Sequence, residues 1–277
     1  QAPGQGVGQG GDAPRVDAAS LTKGLQGMRV GVLPDADMKG VDPGVAERVA
    51  DAVRTLEKAG ATIVPVTIPH AQLCLAIYAL IVTSESSSNL ARYDGLRYGT
   101  TLEPKPQETF AAYTTRVRGT ALGAEPQRRT LLGTYALSKG YADQFYHRAH
   151  QLQAAVAWEF DNAFKIVDVL FGPTSPSVAF PLGEKANDPL TMYLSDIFTA
   201  PANIANVPAL SLPIGFSQKL PVGGQFVGPR FREDVVFRAA AAFVPDRAHR
   251  IDAGFLDDKI EDRVGCATAA VESSQFH

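Results

Sequence analysis

Two kinds of apolar pattern alternate along the chain. Short runs at 28–33, 62–68, 167–171, 209–214 and 223–227 read as strands. Those at 167–171 and 209–214 show no polar alternation, as expected of strands covered on both faces. Between them lie segments with helical spacing. In the first, Val45, Val49, Ala52 and Leu56 fall on one face, after an Asp42 N-cap with Pro43 at N1 and before a Gly60 stop. Further helices are expected at 71–92, 107–118, 125–138, 141–164, 190–198 and 233–243, with a loop at 99–108. The 141–164 helix carries an apolar stripe of Phe145, Leu152, Val156, Phe160 and Phe164. A strand–helix–strand opening of this length implies a right-handed crossover. The expected fold class is α/β, a mixed β-sheet covered by helices.

The segment from Val167 to Gly228 is unusual in its economy: strand, long loop, short helix, strand, strand. Its loop is punctuated by Pro173, Pro176 and Pro181, and Asp188 with Pro189 opens the short helix. Connections longer than about 12–15 residues between apolar strands are commonly functional.

Composition adds limits. The 277 residues are 45% hydrophobic and 20% charged, with a formal net charge of −3. That is ordinary globular composition without the Lys/Arg stripe of a direct nucleic-acid grip. Cys74, in an apolar helical run, reads as a small buried hydrophobe, and two distant cysteines make no disulfide framework, which favours a cytosolic setting. No consecutive apolar run reaches the ~18 residues of a membrane span. Residues 1–25 begin with Gln1 and a Gly/Gln-rich stretch that lacks the strand and helix of a phosphate loop, so they read as a flexible linker remnant of a longer protein. Residues 26–244 form the folded part, and 245–277 a tail without clear periodicity.

Several residues invite chemistry. Ser86, Ser87 and Ser88 lack the flanking glycines and base of a nucleophile and read as hydrogen-bonding groups at a helix terminus. His147 and His150 stand three apart, but no further ligand is implied beside them, so they read as a solvated face and no metal site is assigned.

Four segments share a resemblance: SESSSNLARYDGLRYG (84–99), RRTLLGTYALSKGYADQFY (128–146), FGPTSPSVAFPLGE (171–184) and DPLTMYLSDIFTAPANIANVPALSLPIGF (188–216), followed by LPVGGQFVG. In this order they resemble the C-terminal half of the amidase signature family, over about residues 26–240. SSNLARYDGLRYG points within it to the glutamine-hydrolysing A subunits of tRNA-dependent amidotransferases. The resemblance implies an incomplete amidase signature fold. Family members use a serine nucleophile, a bridging serine and a lysine in a Gly/Ser-rich stretch and upstream of it. These 277 residues contain no such stretch, so no catalytic residue is assigned and the chain alone is expected to be inactive. What the resemblance does imply is a substrate wall. A tyrosine, an arginine and an aspartate that hold free glutamine fall on Tyr78, Arg129 and Asp196. An arginine suits the α-carboxylate and a carboxylate the α-ammonium. Arg128 points about 100° away from Arg129 on a helix, so only one of the two is expected to face the pocket. The complete enzyme is expected to pass ammonia to B and C partner subunits. These hold the misacylated tRNA and use ATP and Mg, and this chain holds no cofactor of its own. Other readings are a general small-carboxamide amidase and a non-catalytic scaffold.

Overall fold

The computed structural model describes residues 21, 23–34, 38, 40–185 and 188–243. The expected 245–277 tail and most of the 1–25 linker lie outside them. The compact part begins slightly before Gln26, because Leu25 is only 1% exposed and packs into the core.

The described chain runs β1 (Arg29–Val32), α1 (Pro43–Lys58), β2 (Thr62–Pro65), α2 (Cys74–Leu90), α3 (Phe110–Ala121), α4 (Ala124–Ala136), α5 (Arg148–Ile166), β3 (Val169–Pro173), α6 (Pro189–Leu194), α7 (Ala200–Ala205), β4 (Ala209–Ser217), β5 (Leu220–Val227) and α8 (Glu233–Phe243). The strands form one mixed sheet in the order β2-β1-β3-β5-β4. β1 pairs in parallel with β2 and β3, whereas β5 runs antiparallel to β3 and β4. The fold is therefore α/β with a mixed sheet covered by helices, as the pattern predicts.

Each face of the sheet has its own core. On one, Val30, Val169, Phe171 and Phe226 meet Val45, Val49, Ala52 and Leu56 of α1 and Val236, Ala239 and Phe243 of α8. On the other, Leu170 and Val227 meet Ile77 of α2, Val156 and Phe160 of α5, and Ile204 of α7. β3 thus sends alternate residues into two apolar layers, which is why its sequence shows no polar alternation. Burying a side chain of this size contributes about 1.5–3 kcal/mol.

β4 departs from the expectation of a doubly covered strand. Its residues alternate between exposed and buried, with Leu212 and Ile214 turned inward. Among the described residues it pairs only with β5, so it is an edge strand covered on one face. That position also tolerates Pro213, which sits at a register shift.

Helix ends follow local chemistry. Asp42 accepts a hydrogen bond from the Gly44 amide at 2.8 Å, and Pro43 occupies the first turn. Gly60 ends α1 with φ +96°, a conformation that suits glycine. Asp188 caps α6 by accepting from the Thr191 amide at 3.1 Å. The helix expected over 190–198 stops at Leu194, the end of α6; 195–199 form a turn, and α7 follows beyond the expected range. α7 closes on Asn206, in the left-handed region at φ 55°. The expected 141–164 helix begins with a wide turn, Asp143–His147, before α5.

The turn Ala71–Leu73 and α2 together give a helical stretch, Ala71–Leu90, long and apolar enough by length and composition to cross a membrane. Here it lies within the helical layer, against α4, α5 and α7. Ser84–Ser88 occupy the last two turns of α2, which ends at Leu90, in keeping with groups near a helix terminus. The Ser87 hydroxyl is 2.9 Å from that of Thr134 on α4. Gly133 makes this contact possible. A Cβ there would stand 2.0 Å from the Thr83 carbonyl oxygen and 2.7 Å from Ser87 Cβ.

Candidate substrate site

α2 and α4 bring Tyr78 and Arg129 to one cavity of about 510 Å³, which also takes in Leu75, Leu132, Tyr135 and Tyr193. Tyr78 packs against the α2–α5 core, lines the cavity, and bonds Arg129 through its hydroxyl. Arg129 donates from Nε to Glu125 Oε1 at 2.7 Å. Its pKa is raised, foremost by that Glu125 hydrogen bond; burial opposes the shift and the Tyr78 hydroxyl reinforces it. The guanidinium is therefore a fixed cation on a mostly apolar wall.

Arg128 does not line the cavity, in keeping with the helical angle between the neighbours. Contrary to that simple geometry, however, both side chains turn to the same partners. Arg128 donates to Glu125 Oε2 at 2.6 Å and also to the Tyr193 hydroxyl. The Tyr193 hydroxyl donates to Glu125 Oε1 at 3.0 Å. The two guanidinium carbons lie 5.4 and 5.9 Å from the Tyr193 ring centroid. Glu125 is held down to about 2, first by Arg129, with burial opposing and Arg128 and Tyr193 assisting.

Asp196 is not brought into this cavity. It is exposed, in the turn after α6. Its backbone amide bonds to the Tyr193 carbonyl at 2.9 Å, and its carbonyl accepts from Ala200 at 2.9 Å. The residues just beyond it, Ile197 and Phe198, line a second cavity of about 530 Å³. That cavity sits at the carboxyl end of β3, beside Phe171 and Pro173, where open α/β sheets commonly place ligands. Gln225 ties its walls together by donating to the carbonyls of Pro173 at 3.0 Å and Phe198 at 2.7 Å. Gln72 lines both cavities, so they adjoin, with Asp196 on the turn between their walls.

The remaining candidates resolve simply. Cys74 is fully buried, and its thiol is pushed up to about 12 by burial and by the Glu159 charge. It packs as a hydrophobe. His150 Nδ1 is 3.0 Å from Gln153 Oε1, and His147 lies 3.6 Å from Asp143. Among the described residues, no three His, Cys, Asp or Glu side chains cluster as metal ligands.

Sequence reasoning missed Glu125, Tyr193 and Gln225. The signal for the first was present, since Glu125 precedes Arg128 and Arg129 by three and four residues, the spacing of helical ion pairs. Tyr193 and Gln225 act across tertiary contacts that no local spacing reveals.

The sequence profile of the family described as Amidase matches residues 10–237, and the chain belongs to this family. Its similarities then narrow. It is 46% identical over 225 residues to the A subunit of the glutamyl-tRNA(Gln) amidotransferase of Chloroflexus aggregans, covering 81% of this chain and 46% of that protein. The same protein of Listeria monocytogenes matches at 46% over 224 residues, again covering 81% and 46%. The crystal structure of the corresponding Thermotoga maritima protein superposes with a TM-score of 0.62 at 35% identity, covering 82% of this chain and 44% of that one. A bacterial aryl acylamidase of the amidase signature enzymes superposes at 0.61 with 17% identity, a likeness of fold. The chain spans about half the length of the curated relatives it matches.

Proposed function

We propose that this chain forms the glutamine-binding wall of the ammonia-supplying component of a tRNA-dependent amidotransferase. The observation that carries the reading is the meeting of Tyr78 and Arg129 on one cavity, in a chain similar over most of its length to such proteins. Arg129 receives the α-carboxylate of glutamine, Tyr78 orients it, and Asp196, on the adjoining turn, takes the α-ammonium. The serine–serine–lysine machinery comes from outside these 277 residues. Ammonia released by glutamine hydrolysis passes to B and C partner subunits, which hold misacylated Glu-tRNA or Asp-tRNA and use ATP and Mg.

The test compares substrates in an enzyme completed with the catalytic half. A charge-assisted hydrogen bond contributes about 1.5–3 kcal/mol. Arg129→Ala therefore lowers kcat/KM for glutamine roughly 10- to 100-fold. Arg129→Lys restores only part, because an ammonium lacks the bidentate fork. Asp196→Asn does comparable harm. An amide without α-amino and α-carboxylate groups is spared. Equal losses on both substrates would reject the reading in favour of a general carboxamide amidase. The chain on its own turns over no glutamine, and turnover abolished by changing Ser86, Ser87 or Ser88 would contradict that.

A further inference from the structure

We infer that Glu125 and Tyr193 are positioning residues that aim the terminal edge of Arg129 into the Tyr78 cavity. This rests on the reading of Arg129 as the carboxylate-binding group. A guanidinium has one fork formed by its two terminal nitrogens and a second that includes Nε. Glu125 Oε1 takes Nε at 2.7 Å, which fixes the roll of the group about its stem. Glu125 leaves the terminal edge unengaged, and the Tyr78 hydroxyl bonds the guanidinium where both residues line the cavity. Glu125 is in turn fixed from two directions. Arg128 binds its other oxygen through Nε at 2.9 Å and a terminal nitrogen at 2.6 Å. The Tyr193 hydroxyl, from α6, donates to Oε1 at 3.0 Å.

A surface ion-pair ladder along one helix needs no partner from another element. This cluster has one, since Tyr193 bonds Glu125 and Arg128 and lies beneath both guanidiniums. The side chains of Glu125, Arg128 and Arg129 are 46, 37 and 30% exposed. Ion pairs this wet add little to stability, so the arrangement serves orientation instead. It also makes the pocket selective for a single carboxylate, because Arg128 and the Nε side of Arg129 are already engaged.

The experiment measures glutamine and neutral-amide kinetics in the complete enzyme carrying this chain. Glu125→Ala raises the KM for glutamine about 10-fold, the scale of one charged hydrogen bond, while kcat and the neutral amide change little. Glu125→Gln keeps an acceptor for Nε and recovers most of the loss. Tyr193→Phe keeps the ring and gives a smaller rise of the same sign. Glu125→Ala combined with Arg129→Ala is no worse than Arg129→Ala alone. A harmful Arg129→Ala beside an unchanged KM in Glu125→Ala and Tyr193→Phe, additive losses in the double variant, or no rescue by Gln would overturn the inference while leaving the Arg129 reading intact. A silent Arg129→Ala would overturn both.

Discussion

Gly133→Ala sets helix propensity against packing. In an exposed helix interior, alanine is favoured over glycine by about 1 kcal/mol. At 133 the added Cβ would lie 2.0 Å from the Thr83 carbonyl oxygen, 2.5 Å from its carbon and 2.7 Å from Ser87 Cβ. Two of those three atoms are backbone, so no rotamer change relieves the clash. Cβ contacts below 3.0 Å are essentially not seen, which requires α4 to move from α2 by about 1 Å. Overpacking of this kind costs about 1–3 kcal/mol. The expected result is a net loss of stability of that order despite the better helix former, seen as a lower urea midpoint with an unchanged slope. Function should shift too. Arg129 stands one turn before Gly133 on α4, and Tyr78 stands on α2, so the same displacement widens the gap between the two residues proposed to hold glutamine. The KM for glutamine rises while a neutral amide is less affected. A variant with a raised midpoint would show that the helices are free to part and refute the packing argument.

Three further outcomes follow from the same geometry. Cys74 resists alkylation in the folded protein at pH 8, because its thiol sits near 12, and reacts only as urea unfolds the chain; rapid labelling without denaturant would contradict its burial. Glu125 is lowered from 4.5 to about 2 in the fold, so its contribution, small because the side chain is half exposed, is complete above pH 4.5 and lost as pH falls toward 2; urea midpoints across that window should fall slightly less steeply in Glu125→Gln than in the parent. Glu159 accepts from the His70 backbone amide at 3.0 Å and pairs with its ring at 2.5 Å, so Glu159→Ala leaves that amide without its partner and costs about 1–3 kcal/mol by thermal or urea melting.

The fold was legible wherever local chemistry repeats. The α1 stripe, its Asp42 cap and the Gly60 stop were all written in sequence, and so was the doubly covered β3. The misreadings share a cause. An edge strand and a central strand can carry the same apolar letters, and only the pairing of β4 with β5 alone separates them. The turn dividing α6 from α7 is fixed by hydrogen bonds around Asp196 rather than by a helix-breaking residue at that point. At the site, Tyr78 and Arg129 were reached through resemblance, and the structure brings them together. Glu125 was one helical turn from Arg129, yet its importance depends on Tyr193, which is 68 residues away.

The place of β3 in the sheet also bears on how the chain becomes ordered. Val30 of β1 pairs with Val169 of β3, so this contact closes a loop of about 140 residues, whereas β4 and β5 meet across a tight turn. Closing so long a loop carries an entropic cost that local pairs avoid, and high contact order slows folding. The β4–β5 hairpin can form early from neighbours. The union of the N-terminal crossover with β3 must wait, and during synthesis β1 and β2 emerge well before the strand that joins them to β5. Until then, among the described strands, α1 has β1 and β2 alone as a platform for its apolar face, and two strands give little independent stability. A chaperone that engages this stretch before β3 is made should therefore find apolar sites in residues 29–65.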